Sequence, residues 1–284
     1  MIYLYYNALA DNNNLSASLE PIKAKLEAKW GEKIEMRNAH DVAWEEEQKT
    51  FKEGDKVLLA GGDGTLNHFI NVFDPSSFPV DIYLLPMGTG NDFLNDRKEV
   101  VDEDGLVKLN DCLKGLPTIE VKGKTYRFIN GIGFGIDGDC CVVAEQMKKA
   151  GKKKIDYSKI TISLLFNGFK PRNATVTVDG EKFEFKKVYL ASSMFGKYYG
   201  GGMRVAPDQI RNGGLLSFVT IYGKGKIGTL MMFPKIFSGT HVKYKKNVFI
   251  KTGKEIVVSF DKPCGLQIDG EVVEDVTTYK VSIK

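Results

Sequence analysis

Apolar positions follow two different rhythms along the chain. Before about residue 117, short apolar runs alternate with longer segments of helical spacing. Ile2 to Tyr6 reads as a strand, Leu15 to Trp30 as an amphipathic helix closed by Gly31, and Lys33 to Arg37 as a second strand. Val57 to Ala60 is a third strand, Thr65 to Phe73 a helix and Val80 to Leu85 a fourth strand. This alternation predicts a doubly wound α/β domain over residues 1–117, in which ligands gather beyond the carboxyl ends of the strands. After Lys114-Gly115-Leu116-Pro117 the rhythm shortens to hairpin-like strands. Thr118 to Val121 and Thr125 to Asn130 flank Lys122-Gly123-Lys124, and Ala174 to Val178 and Lys182 to Phe185 flank Asp179-Gly180-Glu181. Further strands are expected at Lys187 to Ser192, Leu215 to Tyr222, Glu255 to Phe260, Gly265 to Ile268 and Thr277 to Ile283. They predict a mostly antiparallel, β-sandwich-like domain over residues 118–284. Two helices interrupt it, one from Cys140 to Lys149 continuing toward Ile160 to Phe169, and one from Ile227 to Phe237.

Composition changes this picture little. At 284 residues, with 43% hydrophobic and 27% charged, the chain can bury two cores. No apolar run nears the roughly 20 residues that span a bilayer, and Met1 to Tyr6 lacks the basic region of a secretory signal, so a cytoplasmic protein is expected. Cys112, Cys140, Cys141 and Cys264 have no metal-ligand spacing and read as buried thiols, while His40, His68 and His241 are scattered. The net charge of +4 is too mild to imply nucleic acid. Its placement is more telling. Lys148, Lys149, Lys152, Lys153 and Lys154, and again Lys243, Lys245 and Lys246, cluster beside apolar stretches. Each cluster alone reads as a solvated face; together they make contact with an anionic membrane a reasonable expectation.

The chemistry concentrates where two apolar runs end. Gly61-Gly62-Asp63-Gly64-Thr65 follows Val57 to Ala60, and Gly88-Thr89-Gly90-Asn91-Asp92 follows Ile82 to Pro86. Glycines let bare N–H groups approach an anion, and the threonines add hydroxyl donors, so the expected guest is a nucleotide's phosphates. Two literal G-x-G-x-x-G matches, at Gly133 and at Gly223, lack the following parallel strand and acid. Asp269-Gly270-Glu271, on its own, reads as a hairpin tip.

In combination these elements resemble the lipid kinase family of bacterial diacylglycerol kinases and sphingosine kinases, within a superfamily that includes NAD kinases. The resemblance rests on Gly61 to Asn67 and Leu85 to Phe93, in that order and spacing. It extends to Phe128-Ile129-Asn130-Gly131-Ile132-Gly133-Phe134-Gly135-Ile136-Asp137, Tyr199-Gly200-Gly201-Gly202-Met203 and Gln267-Ile268-Asp269-Gly270-Glu271. It implies an α/β nucleotide domain, a β domain and an active site in the cleft between them. ATP would be held by Asn7, by Gly61, Gly62, Asp63, Gly64, Thr65, Leu66 and Asn67, and by Gly88, Thr89, Gly90, Asn91 and Asp92. Glu271, or failing that Asp269, would take the proton of a lipid hydroxyl, and Asp63 would organise magnesium and phosphate.

Three positions depart from the family pattern. Asn7-Ala8-Leu9-Ala10-Asp11 replaces an Asn-Pro-x-Ser-Gly loop, His68 stands where a glutamate is common, and Asn212-Gly213-Gly214-Leu215-Leu216 replaces a magnesium loop of Asp-Asp-Gly-Leu-Leu type. That structural metal site is expected to be empty, with Asp208 a distant substitute. The resulting expectation is a MgATP-dependent kinase for a lipid alcohol such as diacylglycerol. Peripheral contact with the inner membrane face and a homodimer are the assemblies it admits. The rivals are an NAD kinase-like enzyme and a non-catalytic nucleotide- or lipid-binding regulator.

Overall fold

The computed structural model describes residues 1–7, 15–39, 41–73, 80–87, 91–97, 101–152 and 155–284. They form two compact units, Met1–Lys114 and Gly115–Lys284.

In the first unit the apolar runs become strands β1 (Ile2–Tyr6), β2 (Ile34–Asn38), β3 (Lys56–Gly61) and β4 (Asp81–Pro86), with a two-residue β5 (Val107–Lys108). The sheet order is β2-β1-β3-β4-β5, parallel throughout except for β5, which joins β4 antiparallel. Helices α1 (Leu15–Trp30), α2 (Trp44–Glu47), α3 (Asp63–Val72) and α4 (Asp92–Asp96) connect them. The interior strand β3 is almost wholly buried, as a parallel strand covered on both faces must be. Leu15, Leu19 and Leu26 of α1 pack with Leu4, Leu58, Ala60 and Leu85 of the sheet. Trp44 fixes α3 from outside by edge contacts to Phe69 and Phe73, at 6.4 and 4.9 Å between ring centroids.

The second unit contains β6 (Thr118–Val121), β7 (Lys124–Arg127), β8 (Gly131–Gly135), α5 (Ile136–Lys149), α6 (Tyr157–Asn167), β9 (Arg172–Val178), β10 (Glu181–Met194), β11 (Leu216–Tyr222), α7 (Lys226–Phe237), β12 (Val248–Gly253), β13 (Glu255–Ile268) and β14 (Glu271–Ser282). Every strand pairing among them is antiparallel. Segments expected as separate strands are continuous: Lys182 to Phe185 and Lys187 to Ser192 both lie in β10, and Glu255 to Phe260 and Gly265 to Ile268 both lie in β13. Each long strand bends at a bulge and changes neighbour. The first half of each pairs with β9 and the second half with β8. The helix expected to run from Cys140 toward Phe169 is two helices instead. Gly151, at φ +84°, follows the end of α5, and the Asp156 carboxylate accepts the Lys159 N–H to start α6.

The core of this unit holds Phe134 stacked on Phe260 at 4.1 Å, with Tyr279 edge-on. All four cysteines are free thiols, and burial pushes those of Cys140 and Cys264 up to about 11 and about 12. Among the described residues no helix is long and apolar enough to cross a membrane.

Candidate active site

Strands β1, β3 and β4 run parallel, with Tyr6 opposite Ala60 and Gly61 opposite Pro86, so their carboxyl ends share one edge of the sheet. Asn7, Gly61 to Asn67, Asn91 and Asp92 therefore gather at that edge. Gly88, Thr89 and Gly90 lie outside the described residues, as do Ala8 to Asp11 of the altered first loop. A Cβ at position 61 would overlap the Thr65 side chain, so glycine there allows strand β3 to pass directly under the first turn of α3. That helix starts at Gly62, which offers no side chain to cap it. A helix start of this kind, on a glycine-rich strand end, suits a phosphate's negative charge.

Asp63 ties the two loops together. Its carboxylate accepts the backbone N–H groups of Asp92 at 2.7 Å and Phe93 at 3.0 Å. It thus caps α4 from 29 residues away in sequence, since Asn91, at the N-cap position, makes no capping bond itself. Asn67 and Asp92 are buried beside this junction. His68 is exposed, with its ring edge-on to Trp44 at 6.3 Å.

In the second unit, Asp269 and Gly270 form the tip between β13 and β14, at φ +47° and +98°. The Asp269 carboxylate accepts three consecutive backbone N–H groups, from Ile129 (2.6 Å), Asn130 (2.9 Å) and Gly131 (2.8 Å). The tip is thereby clamped to the entry of β8. Asn130, itself buried, accepts the Arg211 guanidinium on its Oδ1 at 3.0 Å, and the same guanidinium reaches the Ile129 carbonyl. Glu271, the first residue of β14, is exposed beyond the clamp.

Behind the tip runs a buried polar chain. Gln267 accepts the Gly270 N–H at 2.8 Å and donates to Asp137 Oδ2 at 3.1 Å. The Tyr199 hydroxyl also bonds Asp137 and lies 2.8 Å from Ser192 Oγ. Burial raises the Asp137 carboxyl to about 6, against the opposing pull of its two hydrogen-bond donors. Two glycines make room for this arrangement. A side chain at Gly133 would collide with Asp137 and Gln267, and one at Gly138 would enter the Gly265 backbone, where α5 lies directly on β13. Asp137 also lines a small, mostly apolar cavity of about 40 Å³, together with Thr161, Leu165, Tyr189, Leu190 and Phe233. Thr229 of α7 adds a further hydroxyl to this mostly apolar lining.

Arg211, Gln267 and Asp137 were not among the expected site residues. Gln267 and Asp137 sit inside motifs already singled out, yet their partnership joins positions 130 residues apart. Arg211 carried a local signal too, as the cation directly before the loop that departs from the magnesium pattern. Among the described residues, no three His, Cys, Asp or Glu side chains converge into a metal-binding cluster.

Comparison with known proteins places both halves. Residues 1–110 match the family model of the diacylglycerol kinase catalytic domain, and residues 130–282 match the YegS C-terminal NAD kinase beta sandwich-like domain. A diacylglycerol kinase of Bacillus subtilis is 22% identical, covering 82% of this chain and 76% of its own. One from Mycobacterium tuberculosis is 26% identical over 72% of this chain and 67% of its own. A crystal structure described as a diacylglycerol kinase from Bacillus anthracis shares the fold, with a TM-score of 0.70, 21% identity and coverage of 99% of this chain and 93% of that one.

Proposed function

The chain belongs to the lipid kinase family that joins a diacylglycerol kinase catalytic domain to a YegS-type C-terminal domain, and from this premise we propose that it transfers the γ-phosphate of MgATP to the hydroxyl of a lipid alcohol such as diacylglycerol, met at a membrane surface. The observation that carries this reading is the polar chain from the apolar cavity through Asp137 and Gln267 to the tip bearing Glu271. A small apolar cavity beneath α6 and α7 is thus joined by hydrogen bonds to the turn that presents a carboxylate.

The first unit supplies the phosphate-binding part, through Gly61 to Asn67 and the loop that ends at Asn91 and Asp92. Asp63 holds these two loops in register. The uncapped start of α3 fits the β- and γ-phosphates, and magnesium bound with them would neutralise charge that builds up on the leaving oxygens. The second unit supplies the acceptor side. Glu271 takes the proton of the lipid hydroxyl as its oxygen bonds to the γ-phosphorus, while the bond from that phosphorus to the β–γ bridging oxygen breaks and ADP departs. Asp269 positions Glu271, because its carboxylate is already committed to three backbone donors. The transferring group is loosely bonded at the transition state, so positioning and electrostatics carry most of the catalysis.

Glu271→Gln tests this reading. With a short-chain diacylglycerol, kcat should fall by about 10²–10⁴-fold, the usual worth of a general base, with MgATP affinity unchanged. Unchanged turnover would remove Glu271 from the mechanism. Wild-type protein that binds ATP but phosphorylates no lipid would instead be a regulator.

A further inference from the structure

Helix α7 is apolar nearly all round, yet only Thr229, Met232 and Ile236 are buried. Ile227 is 70% exposed and Met231 68%, one turn apart on the same side. On α6, Ile162 and Phe166 repeat this spacing at 40% and 48% exposure. The two helices are neighbours: Lys226 at the start of α7 donates to the Phe166 carbonyl at 3.0 Å, and Thr161 and Leu165 of α6 line the same cavity as Thr229 and Phe233 of α7. Their inner faces enclose the apolar cavity, and their outer faces leave large apolar side chains in water.

Along the segment that carries α7 the charge has one sign. No Asp or Glu occurs between Asp208 and Glu255, while eight lysines do. Lys224 and Lys235 both lie over the Tyr244 ring, at 5.8 and 4.6 Å from its centroid, which gathers their charge beside α7. The cluster at the end of α5 is different, because Lys148 and Lys149 both reach Glu145, at 3.7 and 4.0 Å. Lys153 and Lys154 of that cluster lie outside the described residues.

We propose that the outer faces of α6 and α7 are the surface by which this protein docks on an anionic bilayer, with Ile162, Phe166, Ile227 and Met231 entering the headgroup region and Lys224, Lys226 and Lys235 meeting lipid phosphates. The assignment rests on the lipid-substrate reading above and adds the element that makes the contact. Apolar side chains rimmed by lysines, with the one acid at the start of α6, Asp156, paired to Lys159, match an interfacial surface in both parts of its chemistry. Docking in this way also turns toward the bilayer the two helices whose inner faces line the small apolar cavity.

The test is co-sedimentation with vesicles of phosphatidylcholine alone or mixed with phosphatidylglycerol. Wild-type protein should bind the mixed vesicles far better. Ile227→Asn with Met231→Asn should lower the partition constant at least tenfold, since each change withdraws an apolar side chain from the lipid. Replacing Lys224, Lys226 and Lys235 by glutamine should cost about fivefold each and flatten the salt dependence. Glutamine at Lys148, Lys149 and Lys152 should change binding little. Both docking variants should keep the wild-type urea midpoint and wild-type turnover on a short-chain diacylglycerol dissolved as monomer. Undiminished vesicle binding in the Ile227/Met231 variant would overturn the proposal. So would a wild-type dimer that this variant splits, which would make the face a contact between copies of the chain. If the wild type binds vesicles through this face yet phosphorylates no lipid, the surface stands and the substrate assignment fails.

Discussion

Asp269→Asn separates a clamp from a base. In the wild type, Oδ1 accepts from Asn130 and Gly131, and Oδ2 accepts from Ile129. Asparagine can keep the first two bonds with its single oxygen. Its NH₂ must then face the Ile129 N–H, donor against donor. The change therefore loses one charge-assisted bond, worth about 1.5–3 kcal/mol, and strands a donor at a cost of about 1–3 kcal/mol. A loss of about 3 kcal/mol or more from the second unit follows. Trp30 and Trp44 both lie in the first unit, so urea unfolding should be followed by the far-ultraviolet β signal rather than by tryptophan fluorescence. Glu271→Gln is the control. Its side chain is exposed, and its midpoint should match the wild type within about 0.5 kcal/mol even though turnover collapses. An Asp269→Asn protein with the wild-type midpoint and a lowered kcat would refute the clamp and make Asp269 the proton acceptor.

Two further substitutions probe the network. Asp63→Ala removes the remote cap of α4; it should weaken MgATP binding in calorimetry and cost about 1–2 kcal/mol of first-unit stability, whereas normal binding and normal unfolding would show that the two loops are held without it. Asp137→Asn should reshape the pH dependence of stability. With its carboxyl raised from the ordinary 3.8 to about 6, the folded state binds more protons than the unfolded state between these values, so wild-type stability falls as pH rises through that window, by about 3 kcal/mol in all. The asparagine variant should escape this fall and gain on the wild type above about pH 6, and an equal offset at pH 4 and pH 7 would contradict the assignment.

The α/β half was legible because its strands are short apolar runs with the glycine turns at their ends. The sheet then brings those turns to one edge by parallel pairing. Strand β5 was missed, since two residues carry no periodicity. In the β half, Lys186 and Asp261-Lys262-Pro263-Cys264 divided the expected strands, although β10 and β13 are continuous. Polar residues gather where a long strand bulges and changes partner. Strand β12 was also unread. Local patterning is silent about what a side chain meets far along the chain. Asp269 could be recognised as a turn residue and Asp63 as a loop acid, but the N–H groups they hold lie about 140 and 30 residues away. The Asp137–Gln267 pair and the anchoring of Arg211 on Asn130 were hidden for the same reason.

Label transfer from γ-phosphate-labelled ATP tests the central claim most directly. Wild-type protein with magnesium would be offered diacylglycerol, a sphingoid base, a polyprenol and NAD in parallel, with Glu271→Gln beside it. Label should enter a lipid alcohol and not NAD, and the variant should transfer it about 10²–10⁴-fold more slowly. Label on NAD, or ATP binding without transfer to any acceptor, would contradict the account.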